Sequence, residues 1–154
     1  MHLILLTLLI GIVAGLRAFI APAAVSWAAH TGLLTLTGTP LAFMGYAATP
    51  YVFTALALFE FVTDLLPSTP SRKVPPQFAA RIITGSLSGA SIGAGLGNLW
   101  LGLVCGAIGA GLGTLGGATV RSYLASAFQK DIPAGLTEDI VAVLGAYLIT
   151  HHIA

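Results

Sequence analysis

The sequence predicts an all-α protein, an integral membrane bundle of about five transmembrane helices forming a single domain over residues 1–154. Three observations predict it. The chain is 56% hydrophobic and only 7% charged, whereas a soluble domain carries about 25% charged residues. So little charge cannot cover a water-facing surface, but apolar side chains can face lipid. The apolar residues fall in long runs of about the 20 residues that a crossing helix needs, separated by Pro-, Gly- and Thr-rich breaks. Glycines recur at four-residue spacing in the second half of the chain, which places them on single helix faces.

The first span is expected over residues 3–29. Arg17 stands near its middle and Pro22 removes a backbone donor just beyond, which predicts a kinked or broken helix. Residues 21–23, Ala-Pro-Ala, imitate a leader-cleavage spacing. No Lys or Arg precedes the apolar run, however, and the segment reads as a retained helix. Residues 30–40 read as a loop. The second span is expected over residues 41–66, and the proline-rich stretch from Pro67 to Pro76 ends it. The third and fourth spans, residues 77–97 and 99–127, form a hairpin about the Gly97-Asn98 turn. Gly85, Gly89 and Gly93 line one arm; Gly102 and Gly106, then Gly109, Gly113 and Gly117, line the other. Such faces let helix backbones approach closely; a packing seam within the bundle is the plainest reading, and an oligomer seam or substrate groove its rivals. The fifth span is expected over residues 133–150, with Asp131 as N-cap and Pro133 in the first turn.

Lys and Arg are confined to two of the predicted loops, Arg72 and Lys73 after the second span and Lys130 after the fourth. With five crossings, the positive-inside rule puts the N-terminus in the cytoplasm and the C-terminus outside.

Charges within spans are costly and mark either structure or function. Arg17 is the deepest by position. Glu60 and Asp64, four residues apart, share a helix face. Arg81, Arg121, Glu138 and Asp139 fall near the same leaflet, so two cations and four acids converge at one depth. Ion pairs that lock helices, snorkelling arginines and acids favoured by a helix N-terminus explain such a set without function; a site that binds or relays an ion is the sharper reading. Residues 17–21 faintly echo residues 121–125, each reading Arg, small, aromatic, aliphatic, Ala, as an internal repeat of a transporter would.

Other chemistries find little support. A net charge of +1 argues against nucleic acid as a partner. The single Cys105 excludes an internal disulfide and a multi-cysteine zinc site. His30, His151 and His152 read as interfacial polar residues, and no metal or cofactor is expected. No catalytic motif is present, so no enzymatic activity is expected. Ser68, Thr69, Ser71 and Arg72 form a loop able to contact phosphate or a lipid headgroup, although a plain proline-rich turn explains them as well.

Three stretches carry a resemblance. They are residues 15–27 (Gly-Leu-Arg-Ala-Phe, then Ala-Pro-Ala-Ala-Val-Ser-Trp), residues 59–72 (Phe-Glu-Phe-Val-Thr-Asp through Pro-Ser-Thr-Pro-Ser-Arg), and Ala80-Arg81-Ile82 with Gly85, Ser88, Gly89 and Glu138-Asp139-Ile140-Val141-Ala142. Together they resemble the bacterial membrane family known as domain of unknown function 4126, over nearly the whole chain. The resemblance implies a small multi-span protein of the bacterial inner membrane and brings no activity with it.

The expected function is that of a small transporter or channel for an ion or solute, homo-oligomeric and in contact with membrane lipid. Arg17 would hold an anionic group or pair with an acid as a gate, and Glu60, Asp64, Glu138 and Asp139 would relay protons or bind a cation beside Arg81 and Arg121. The rival readings are a non-catalytic accessory subunit packed into a larger membrane complex, and a lipid-headgroup binder using the Ser68–Arg72 loop.

Overall fold

The computed structural model describes residues 1–66, 71 and 73–153. Six α-helices and one 3-10 turn make up the described residues, with no strand among them: α1 (His2–Leu16), α2 (Ile20–His30), the 3-10 turn (Ala42–Gly45), α3 (Thr49–Asp64), α4 (Pro75–Gly95), α5 (Leu99–Phe128) and α6 (Asp131–His151). The all-α expectation holds. Two helices, α5 and α6, are long and apolar enough to cross a membrane, whereas α1 is apolar but only 15 residues long.

The first predicted span is two helices, as Arg17 and Pro22 foretold, but the break is a reversal rather than a kink. Arg17 leaves α1 in an extended conformation, φ −139° and ψ 115°. Pro22 lies inside the first turn of α2, where its missing N–H costs nothing. The reversal follows from the neighbours. Helix α1 runs parallel to α5, with Gly11 against Gly106 and Gly15 against Ala110 and Thr114. Helix α2 runs back along α3: the Phe19 amide meets Glu60, while the Trp27 indole donates to Thr54 Oγ1 at 3.0 Å. Leu34, beyond the end of α2, packs on Gly95 at the end of α4. Residues 2 and 30 therefore lie at the same end of the bundle, together with the α4–α5 turn and residue 151. The Lys73 and Lys130 segments lie at the opposite end. In place of five alternating helices the structure has an α1–α2 hairpin followed by four alternating helices, so residues 2 and 151 lie at one end of the bundle.

Local signals place the remaining boundaries. The prolines expected only to end the second span also start the next helix, since Pro75 and Pro76 occupy the first positions of α4, where their fixed φ suits a helix start. Pro50 does the same for α3. Gly97 turns at φ 91°, and the Asn98 side chain caps α5 by accepting from the Leu101 amide at 3.1 Å. Helix α5 ends at Gln129, which takes the left-handed conformation at φ 55°. Asp131 is the first residue of α6 and not its N-cap, which is Lys130.

Glycine brings α1, α4 and α5 into backbone contact. A Cβ added at Gly89 would collide with the Gly102 carbonyl, and one at Gly106 with the Gly85 carbonyl. One added at Gly109 or Gly113 would collide with the carbonyls of Leu8 or Ile12. Gly93 sits equally close to Asn98. The expected α4–α5 seam is present, but it has a third member: Gly109 and Gly113 face α1, and Gly117 is only half-buried. Buried hydroxyls along these helices bond back to their own turns, as Ser88 does to Thr84 O at 2.8 Å and Thr114 to Ala110 O at 2.8 Å, so these hydroxyls keep a partner despite the close approach. The opposite faces are apolar and exposed, including Val104, Ile108, Leu112 and Leu115 on α5, Ile140, Leu144 and Leu148 on α6, and Val52, Leu56, Phe59 and Val62 on α3.

Candidate functional site

A helix interrupted inside a protein leaves carbonyls without partners at the end of one half and amides without partners at the start of the other. The reversal at residues 17–19 does so, and two charged side chains satisfy both ends. Arg81, 3% exposed, donates from Nη1 to Gly15 O at 2.8 Å and Leu16 O at 2.7 Å, the last carbonyls of α1. Thr114 Oγ1 adds a bond to Gly15 O at 3.3 Å. Glu60, 9% exposed, accepts from the Ala18 amide at 3.0 Å and the Phe19 amide at 3.1 Å, which open α2. A cation thus stands at a helix C-terminus and an anion at a helix N-terminus, each where the helix dipole favours it. The two side chains meet at 3.4 Å, Arg81 Nη2 to Glu60 Oε1.

Arg17 points from the reversal into a second layer of charge. It is 2% exposed and is held by two carboxylates: Nη1 donates to Asp64 Oδ2, Nε donates to Asp139 Oδ1, and Nη2 pairs with that same oxygen. Its guanidinium lies over the Phe61 ring, 5.5 Å from the centroid. Asp64 is shared, because Arg121 Nη1 also reaches it at 3.5 Å. Arg121 is gripped more closely by Asp131, at 3.1 Å from Nε and 2.7 Å from Nη2, and reaches Glu138 at 3.5 Å. A small cleft of about 40 Å³ lies here, lined by Arg17, Asp64, Arg121, Asp131, Gly135 and Asp139 among others. That is room for a water molecule or a bare ion.

All seven charged residues singled out from the sequence gather at the reversal in two adjoining layers, Arg81 with Glu60 at the helix ends and Arg17, Asp64, Arg121, Glu138 and Asp139 beside them. Burial falls outward through these layers, from Arg17, Arg81 and Glu60 to Asp64 and Arg121 and then to Asp131, whose side chain is 63% exposed. Sequence reasoning assigned Asp131 to a helix cap and so missed it as Arg121's main partner. The ten-residue spacing across the α5–α6 turn carried the signal. It missed Phe61 too, which nothing in the local sequence distinguishes from the other aromatics of α3. The two arginines of the echoed segments converge on Asp64, yet Arg17 ends a helix while Arg121 lies within one.

The remaining candidates stand apart. Ser68, Thr69 and Arg72 lie outside the described residues; Ser71 is exposed and its Oγ accepts from the Lys73 amide at 3.3 Å. His30 Nδ1 lies 3.2 Å from Gly45 O and His152 Nδ1 2.8 Å from Leu148 O, while His151 stacks on Tyr147. Cys105 is buried in the α5 seam.

No curated protein and no solved structure shows significant similarity to the chain. A family model, in contrast, covers residues 4–152, a range that holds the helix reversal and every member of the charge network. The chain belongs to the family described as Domain of unknown function (DUF4126).

Proposed function

We propose that the chain is a multi-span membrane protein that carries a small ion or solute, with the Arg17 network as its internal gate. The carrying observation is the α1–α2 reversal, which puts the start of one helix and the end of another inside the bundle, ringed by charge that opens to one end through the Asp64–Arg121–Asp139 cleft. Broken helices of this kind are the usual way membrane transporters bring helix ends and charge to mid-bilayer. The exposed apolar faces of α3, α5 and α6 support a lipid setting, and Trp100 and Tyr123 on α5, both exposed, are spaced to bracket roughly 35 Å of helix, near the ~30 Å hydrocarbon layer. Arg17, Arg81 and Glu60 then lie within the layer, and Arg121, two residues from Tyr123, stands at its edge toward the end bearing Lys73 and Lys130. By the positive-inside rule that end is cytoplasmic and both chain ends are outside.

Purified protein sealed into lipid vesicles, with proton, alkali-cation and anion flux read by entrapped dyes, tests this reading. The expected result is flux for one of these classes above protein-free vesicles, lowered tenfold or more by Arg17→Gln or by Asp64→Asn. Equal flux in wild type and both variants, or none above the protein-free level, would remove it.

One observation favours a second reading. Both helix ends at the reversal are filled by the chain's own Arg81 and Glu60, as a static scaffold would have them. An accessory subunit of a larger membrane complex would co-purify with a stoichiometric partner and would tolerate Asp64→Asn better than Gly89→Leu.

A further inference from the structure

Helix α3 is attached to the rest of the molecule unevenly. Only Pro50, Ala57 and Glu60 of its 16 residues are buried, and its backbone packs on α2 and the 3-10 turn without extensive contact with α1, α4, α5 or α6. Its upper end is fastened by neutral contacts. Thr54 accepts the Trp27 indole N–H at 3.0 Å, Tyr51 meets Trp27 edge to face, and Thr49 Oγ1 donates to Phe43 O at 2.6 Å. Its lower end is fastened by charge, through Glu60 to Arg81 and through Asp64 to Arg17 and Arg121. Beside it, an apolar groove of about 430 Å³ runs between α2, α3 and α6, lined by Ile20, Trp27, Leu58, Phe61, Val143 and Tyr147 among others. Phe61 joins groove and network, because the ring that lines the groove is also the one Arg17 covers.

We infer that α3 is a gate helix, hinged at its Pro50 end and latched at its Asp64 end, and that release of Asp64 from Arg17 and Arg121 swings its lower half away from α6 and opens the groove to Arg17. The inference rests on the gate reading above and gives it a moving part. The physics separates the two sides of the latch. Helices α1, α4 and α5 touch backbone to backbone through glycine, and sliding them would open voids or force overlaps. Helix α3 presents Val52, Leu56, Phe59 and Val62 outward, and an outward swing keeps those side chains in the same surroundings. The swing must break the core contacts of Ala57 and Phe61, the bonds of Glu60 to Arg81 and to the Ala18 and Phe19 amides, and the ion pairs of Asp64; a carboxylate shared between two arginines is the member whose loss takes both Arg17 and Arg121 off the end of α3.

Paired spin labels read the motion directly in reconstituted protein with Cys105→Ala as background. One pair, at Val62→Cys and Leu115→Cys, spans the latch; a second, at Val52→Cys and Val104→Cys, spans the hinge; a third, at Ile83→Cys and Leu115→Cys, lies within the glycine-packed helices. All five positions are exposed. Adding Asp64→Asn is expected to lengthen and broaden the latch distance beyond its unperturbed width while the other two hold. An unchanged latch distance overturns the inference, and so does an equal shift in the third pair, which would mean that the charge holds the whole bundle. The distances need no flux, so the outcomes separate: a moving α3 in a protein that carries nothing removes the transport reading alone, and a flux-competent protein with a static α3 removes the latch alone.

Discussion

The α1–α4–α5 trio and helix α3 lie side by side, yet they are held by unlike forces. In the trio, glycine faces bring carbonyls against Cα atoms along three helices, and attraction comes from dense van der Waals contact with little freedom to adjust. Helix α3 buries few of its own side chains and is held at its lower end by Glu60 and Asp64. The contrast teaches where change is tolerated. A contact made by missing side chains has nothing to rearrange, whereas a charge shared among partners can exchange them.

Arg17 touches both regions, since it ends α1 and binds the last residue of α3. Arg17→Ala is therefore expected to produce the largest loss. It leaves the mostly buried Asp64 and Asp139 without their main partner, a change that costs about 3 kcal/mol or more. Chemical unfolding in detergent measures it, and a loss below 1 kcal/mol would show that Arg17 is not holding the two regions together.

Gly106→Leu attacks the trio alone. Its Cβ falls on the Gly85 carbonyl, so the helices must separate, at a cost of about 3 kcal/mol. The comparison predicts that Ile108→Ala, on the exposed face of the same helix, moves the unfolding midpoint far less. Equal effects from the two would dissolve the distinction between a glycine seam and an ordinary helix face.

Glu60→Gln sharpens the other side. The amide keeps the shape but loses the charge that faces the Ala18 and Phe19 amides. Hydrogen bonds to a charged group are worth about 1.5–3 kcal/mol. The expected loss of about 2 kcal/mol should appear as faster hydrogen exchange at those two amides, with the α4–α5 amides unchanged. Asp131→Asn stands last. Its carboxylate is largely exposed, and removing such a rim charge is expected to change stability by less than about 1 kcal/mol in the same unfolding assay.

Much of this was legible in the sequence because its causes are local. Glycine every fourth residue predicts a close helix face whatever the partner, and α4 and α5 form the expected hairpin. A charge within an apolar run predicts a partner, and the seven selected residues do find one another. The reversal at Arg17 was not legible. Residues 17–19 contain neither Gly nor Pro, and the turn is stabilised by Arg81 and Glu60, distant in the chain. With the reversal hidden, α1 had no visible partner, although Gly11 and Gly15 carry the same four-residue spacing as the glycines of α4 and α5. The count of alternating helices differs for that reason too, since one hidden turn brings residue 2 to the same end of the bundle as residue 151.

That hidden turn is the point on which the account depends, and the side of the two chain ends tests it most directly. Single cysteines at His2, Ile153, Lys73 and Lys130, in a Cys105→Ala background, can be labelled in sealed cells by a reagent that does not cross membranes. The account predicts labelling at positions 2 and 153 from outside, and at 73 and 130 only after the membrane is opened. Labelling of position 153 with protection of position 2 would contradict it, because the first helices would then cross the bilayer once and Arg17 would not stand at the tip of a hairpin.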